Sequence, residues 1–192
     1  MRRLILTLFI IIGAFSASAE GLIEHFESSL KGLGDYRVTF TATMGDMVTS
    51  GNYAVSGNDF YIVIAGVEYY VAQGVKHEVN SERKEIVVDS AESMGGDLLS
   101  NPAKGFSILA RDFEQRDVTI DSRKAVRLNP RSGEGGEILV VANKGGNLPQ
   151  MIVYIYDDSR MIITLDAIES LTSGIPRFDR SKYPDYEVID MR

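Results

Sequence analysis

From Tyr36 onward the apolar residues of this chain recur at every second position, in short runs broken by turn-forming residues. Tyr36, Val38, Phe40 and Ala42 alternate with Arg37, Thr39, Thr41 and Thr43, which is the repeat of an extended strand with one buried face. Comparable runs cover Gly51 to Val55, Phe60 to Ala65, Val67 to Ala72, Val75 to Val79 and Glu85 to Asp89. They resume over Arg116 to Ile120, Ala125 to Leu128, Glu137 to Ala142, Met151 to Tyr156 and Met161 to Ile168, with a last one at Tyr186 to Ile189. Gly, Asn, Asp and Ser separate them, and Lys144-Gly145-Gly146-Asn147 and Asp157-Asp158-Ser159 have the composition of hairpin turns. About eleven strands exceed what one flat sheet accommodates, so the sheet must curl, close partly or split in two. The chain is therefore expected to be mainly β, with a few helices.

Two segments depart from this repeat. Leu22, Ile23, Phe26, Leu30 and Leu33 fall close to a three-and-four spacing, with Glu24, Glu27 and Lys31 between them, so Glu20 to Leu33 reads as one amphipathic helix ended by Gly32 and Gly34. Between Met94 and Leu109, Gly95-Gly96, Asn101-Pro102 and Gly105 punctuate Leu98, Leu99, Phe106, Ile108 and Leu109, which predicts short helices or helical turns. Some strands are apolar on both sides: Phe60, Ile62 and Ile64 against Tyr61, Val63 and Ala65, and Met151, Val153 and Ile155 against Ile152, Tyr154 and Tyr156. A core covered on both faces and an apolar cavity each account for that pattern.

The N-terminus reads as an export signal. Arg2 and Arg3 precede an apolar run from Leu4 to Phe15, and Ala17-Ser18-Ala19 supplies the small residues at which such signals are cut. The run is shorter than the roughly 20 residues a membrane-spanning helix needs. Cleavage after Ala19 leaves residues 20–192, expected as a single domain in the periplasm. An acylated anchor would need a cysteine directly after the cut, where Glu20 stands; the chain has no cysteine, so disulfide scaffolds are excluded. With Arg2 and Arg3 removed, the formal charge goes from −7 to −9, which argues against nucleic acid as a partner. The mature protein is expected to be an unanchored monomer.

No catalytic constellation emerges. The two histidines, His25 and His77, lie in different elements with no nucleophile or acid motif beside either, and both read as surface residues. Metal-ligand spacing is missing, and neither Gly133-Glu134-Gly135-Gly136 nor Lys144-Gly145-Gly146 opens a helix after a strand as a phosphate loop does. The expectation is a non-enzyme with no cofactor, metal or catalytic residue.

Several stretches, taken in order, resemble the LolA-type periplasmic carriers of outer-membrane lipoproteins, and most closely the form found in Bacteroidetes. They are the opening helix into Tyr36-Arg37-Val38-Thr39-Phe40, Gly51 with Val55 to Ile62, Gly74 leading to Lys84-Glu85-Ile86, Asn101-Pro102, Phe178, Tyr183-Pro184, and Tyr186 to Arg192. The resemblance implies a strongly curved, incompletely closed antiparallel β-barrel whose apolar concave face is covered by a helical lid, with acyl chains held between the two. Lid candidates are Leu22, Phe26 and Leu30, then Leu98, Leu99, Phe106 and Leu109; sheet candidates are Val38, Phe40, Tyr53, Val55, Phe60, Ile62, Tyr69, Val71, Ile152, Tyr154, Ile163 and Leu165. Each of these is as readily a core-packing residue as a cargo contact. Implied partners are acylated lipoproteins, an inner-membrane lipoprotein-releasing transporter and an outer-membrane acceptor. A protein-interaction or envelope-stress sensor domain of the same fold is the alternative.

The chain departs from the family pattern at two places. Proteobacterial members carry a basic residue before a proline in the strand that here runs Val55 to Tyr61, and that arginine helps latch the lid; neither residue is present. Where members have aspartate before the glycine corresponding to Gly74 and aromatics after it, this chain has Gln73, Glu78 and Asn80.

Overall fold

The computed structural model describes residues 21–95, 98–157 and 159–192; the expected signal peptide at 1–19 lies outside the described residues. Helix α1 (Leu22–Lys31) is followed by six strands: β1 (Tyr36–Met44), β2 (Met47–Ser56), β3 (Asp59–Ile64), β4 (Val67–Ala72), β5 (Val75–Asn80) and β6 (Glu85–Ser90). A 3-10 turn (Ala91–Ser93) and helix α2 (Gly105–Asp112) then lead into β7 (Phe113–Ile120), β8 (Arg123–Pro130), β9 (Glu137–Ala142), β10 (Pro149–Tyr156) and β11 (Ser159–Ser170). After a second 3-10 turn (Arg180–Lys182), β12 (Glu187–Asp190) ends the order.

The strands form one sheet in the order β12-β6-β5-β4-β3-β2-β1-β11-β10-β9-β8-β7. Two hairpin meanders run outward from the centre, where β1 pairs antiparallel with β11. The two ends of the sheet, β12 and β7, do not pair with each other, so the barrel is not closed. Twelve strands among the described residues agree with the expected count of about eleven, and one detail departs from an all-antiparallel barrel: β12 lies parallel to β6. The chain reaches that edge after crossing from the end of β11, so it arrives running in the direction of β6 rather than turning back on it.

Curvature follows from what the helices must cover. Buried residues from β1 to β4 and β8 to β11 belong to one cluster with α1 and α2. Those eight neighbouring strands would span about 34 Å if flat, whereas the 10-residue α1 and 8-residue α2 are about 15 and 12 Å long. Only a sheet curled around the helices brings all these side chains into one interior.

A second, smaller cluster lies on the opposite face. Tyr70, Val79, Ile86 and Val88 pack with Tyr183, with Tyr61, Phe178 and Tyr186 against them. The segment between β11 and β12 thus straps the outside of the sheet. For β3 this resolves the two-sided apolar pattern in favour of packing: Phe60 and Ile62 face the main core, while Tyr61 packs beneath the strap.

Gly51 shows how tightly the curl is built. It stands opposite Phe40 in the β1–β2 ladder, and a Cβ there would lie 2.6 Å from the Val63 carbonyl oxygen and 2.7 Å from Phe40 Cζ. One of the two contacts is backbone and cannot swing aside. Gly51→Ala should therefore lower stability by about 1–3 kcal/mol, the range for overpacking. A urea-unfolding midpoint unchanged from wild type would mean that the β2–β3 backbone shifts at Val63 as well as the Phe40 ring moving away.

Candidate functional site

The two helices set the geometry of the apolar face. In α1 the residues at the first, fourth and eighth positions of a stripe, Ile23, Phe26 and Leu30, are buried, while Glu24 in the first turn and Lys31 in the last suit the helix dipole. Among the described residues the helix starts at Leu22, after Gly21 at its N-cap, while the expected first residue Glu20 lies outside them; Leu22 is half-buried at the margin of the stripe. Helix α2 buries Gly105, Phe106 and Leu109 and runs to Asp112, three residues beyond the expected helical segment. Phe106 meets Phe26 edge to face, with ring centroids 6.3 Å apart.

All nineteen sequence-derived candidates meet in this interior. Phe26, Leu30, Val38, Phe40, Tyr53, Val55, Phe60, Ile62, Val71, Leu98, Phe106, Leu109, Ile152, Tyr154, Ile163 and Leu165 are buried members of one cluster; Leu22, Tyr69 and Leu99 are partly buried against it. Sequence reasoning missed Ile23, Tyr36, Val126, Leu128, Ile138, Val140 and Ala142, which belong to the same cluster. Ile23 already stands on the α1 stripe and Tyr36 on the β1 alternation, and for the other five the alternation within β8 and β9 carried the signal.

The inner face does not stay apolar along its whole width. Lys76 pairs with Val71 on one side and Asp89 on the other in the ladders of β4, β5 and β6, so these three share the inner face. Lys76 is 8% exposed, with its Nζ 3.5 Å from Asp89 and 3.8 Å from Glu78 carboxylate oxygens. Glu78 and Asn80, which follow on the same strand face, continue this polar wall. Burying such a lysine is tolerated because both carboxylates face it.

Polar contacts join the lid helices to each other and to the sheet. Ser107 Oγ of α2 donates to Glu27 Oε1 of α1, and Lys31 Nζ lies 2.6 Å from the same oxygen. Burial pushes the Glu27 carboxyl up, but the hydrogen bonds from Lys31 and Ser107 outweigh it and hold it below its ordinary range. Gln115 Nε2 on β7 donates to Glu24 Oε1 at 2.9 Å. Beneath the helices, burial and then the Glu27 carboxylate push the Tyr36 hydroxyl up to about 12. Burial, with smaller contributions from Tyr36 and Tyr154, raises Tyr53 well above its ordinary value.

Two adjoining clefts open at the rim. One of about 630 Å³ lies between the end of α1, α2 and the β1–β3 strand ends, with Leu30, Tyr36, Val55 and Phe106 in its lining. The other, of about 650 Å³, includes Phe60 and Val71 and shares Asn58, Lys104 and Ile108 with the first. Five of the nineteen candidates therefore face a cleft at this rim; their neighbours form the packed interior behind it.

The histidines stand apart from this site. His25 is exposed on α1. His77 differs from a plain surface residue: its ring stacks on Phe178 of the strap at 4.0 Å, and burial, then the Arg192 guanidinium, pull its pKa down. Among the described residues no three His, Asp or Glu side chains gather as metal ligands would. No helix among them is long and apolar enough to cross a membrane.

Comparison with protein-family models gives no match, and none is found among curated proteins. Solved structures do match. An uncharacterized conserved protein from Thermus thermophilus aligns with TM-score 0.57 at 9% identity, over 88% of this chain and 96% of that one. A LolA superfamily protein from Nitrosomonas europaea aligns with TM-score 0.41 at 9% identity, over 84% and 95%. A putative outer membrane lipoprotein-sorting protein domain from Vibrio parahaemolyticus aligns with TM-score 0.41 at 10% identity, over 85% and 95%. The first likeness is one of fold.

Proposed function

We propose that this protein is an exported periplasmic carrier that holds the acyl chains of lipoproteins between its lid and its curled sheet. The observation that carries the reading is the construction of the interior: two short amphipathic helices close a single apolar face drawn from eight strands, with clefts where lid meets sheet. Physics gives such a carrier its purpose. Burying a methylene is worth about 0.8 kcal/mol, so exposing three acyl chains of roughly 45 carbons would cost tens of kcal/mol. A membrane-like interior must match the bilayer closely in free energy, since a tighter grip prevents handover and a weaker one prevents pickup.

The cleft of about 630 Å³ is of a size for one small ligand, not for several acyl chains. Loading then requires α1 and α2 to lift from the sheet, breaking the Phe26 and Phe106 packing and the Glu24–Gln115 hydrogen bond. The partners that follow are a lipoprotein-releasing transporter at the inner membrane and an acceptor at the outer one.

Native mass spectrometry of the protein purified from its own periplasm is expected to show copurifying acylated species. Incubation with membranes and a releasing transporter is expected to yield a soluble complex with a lipoprotein. If neither species forms, while crosslinking recovers an envelope-stress partner, the carrier reading fails and the sensor-domain alternative replaces it.

A further inference from the structure

The hairpin between β1 and β2 ends in an exposed apolar tip. Met44 pairs with Met47 across a two-residue turn in which Gly45 has φ 58°. Met44 is 47%, Met47 62% and Val48 64% exposed. On β11 beside them Ile162 is 36% exposed, aligned with Thr43. Within residues 41–50 the one charged side chain is Asp46, and Thr41, Thr43, Thr49 and Ser50 stand behind the apolar end.

The ladder shows which way these side chains face. Met44 continues the row of Val38, Phe40 and Ala42 and sits beside Met161, which in turn pairs with the buried Tyr154, so Met44 and Met47 carry the inner apolar face to the end of the β1–β2 ladder, where the β10–β11 hairpin with Ser159 and Arg160 runs alongside. Val48 and Ile162 flank Thr43 on the other face. The tip is thus apolar on both sides, with hydroxyls behind it.

We propose that this tip is a membrane-contacting element that dips into the surface of a lipid bilayer. A groove on a protein partner would cover one face of a hairpin, whereas a fluid apolar phase covers both. A second copy of the chain is a poor occupant: a stable interface takes about 20–30 residues a side, and this patch has four strongly apolar ones. The hydroxyl belt of Thr and Ser suits the headgroup layer, and methionine adapts its shape to a disordered phase. Asp46 and the surplus of acidic side chains, 27 Asp+Glu against 20 Lys+Arg, select against anionic lipid. The proposal supplies the carrier reading with its contact to the membrane, and its test is separate from that reading.

The test is flotation of cargo-free protein with phosphatidylcholine–phosphatidylethanolamine vesicles. Wild type is expected to float with them, and to float less when a third of the lipid is phosphatidylglycerol. Met47→Asp/Val48→Asp should cut partitioning at least tenfold at an unchanged melting temperature, and Asp46→Asn should raise it several-fold. Val188→Asp, at a comparably exposed apolar position on β12, should leave it unchanged. The proposal is overturned if wild type does not float, if the double aspartate variant floats equally, or if the tip proves to hold a dimer that this variant dissolves. Uptake of detergent-solubilised lipoprotein by the same variant reports on the carrier reading alone: uptake retained with flotation lost supports the tip, and uptake lost in wild type too fails the carrier.

Discussion

Between pH 10 and pH 12 the protein should lose about 2 kcal/mol of folding stability through Tyr36, with Tyr53 adding to the loss in the same direction, a large share of the stability of an ordinary domain. The cause is Tyr36 and Tyr53, which are 6% and 3% exposed in the lid-covered interior. Burial and the Glu27 carboxylate push Tyr36 up to about 12, and burial raises Tyr53 well above its ordinary value. In the unfolded chain both hydroxyls ionise near pH 10. A group whose folded pKa is raised adds stability that is fully present below the unfolded value and is lost as pH climbs toward the folded one. Each tyrosine that ionises only when unfolded removes about 1.4 kcal/mol per pH unit. On the outer face Tyr61, Tyr70 and Tyr183 converge on the Glu68 carboxylate at 2.7, 2.7 and 3.2 Å. Burial foremost, with Glu68 adding, raises all three, so they act in the same direction. Urea midpoints at pH 8, 10, 11 and 12 would trace the loss, and Tyr36→Phe/Tyr53→Phe should move the alkaline transition upward. An unshifted transition in that variant would mean that the two core hydroxyls are already hydrated in the resting protein.

Phe26→Ala should cost about 3–5 kcal/mol, the range for deleting a buried aromatic from a packed core. Phe26 is fully buried, meets Phe106 edge to face and sits at the centre of the α1 stripe. Leu22→Ala, at the half-buried margin of the same helix, should cost less than half as much. The contrast reports on the resting lid. If Phe26→Ala costs no more than Leu22→Ala, α1 spends much of its time off the sheet in solution. Amide hydrogen exchange along α1 gives an independent measure: protection near that of β1 is expected for a closed lid, and fast exchange confined to α1 for an open one.

Much of this was legible in the residue order because strand and helix repeats are local. The β1 alternation from Tyr36 to Ala42, the α1 stripe of Phe26 and Leu30 and the break at Asn101-Pro102 all name the faces that later meet in one interior. The boundaries drifted where local signals are weak. The strand β2 begins at Met47 instead of Gly51, because its first residues are held by pairing with β1 and not by apolar alternation. Helix α2 reaches Asp112 since Leu109 still packs on the core while Arg111 and Asp112 face solvent. No site candidate comes from β8 or β9, for another reason. Runs such as Ile138, Val140 and Ala142 show a buried face, but nothing in their spacing says that this face meets α1 rather than a second sheet.

What the sequence alone determined is the inventory: many short strands with one apolar face, an amphipathic leading helix, an interrupted helical segment, and no cysteine to tie them together. Each follows from the spacing of side chains a few residues apart, which the backbone geometry of helix and strand converts directly into a face. What only the tertiary structure decided is how those faces are spent. Pairing of β11 with β1 curls the sheet so that eight strands share two helices. The crossing strap turns the outer side of β3 to β6 into a second core and sets β12 parallel to β6. Lys76 joins the inner face through its neighbours on β4 and β6. These outcomes depend on contacts between residues far apart in the chain, where the free energy of burial is collective and no local period records it.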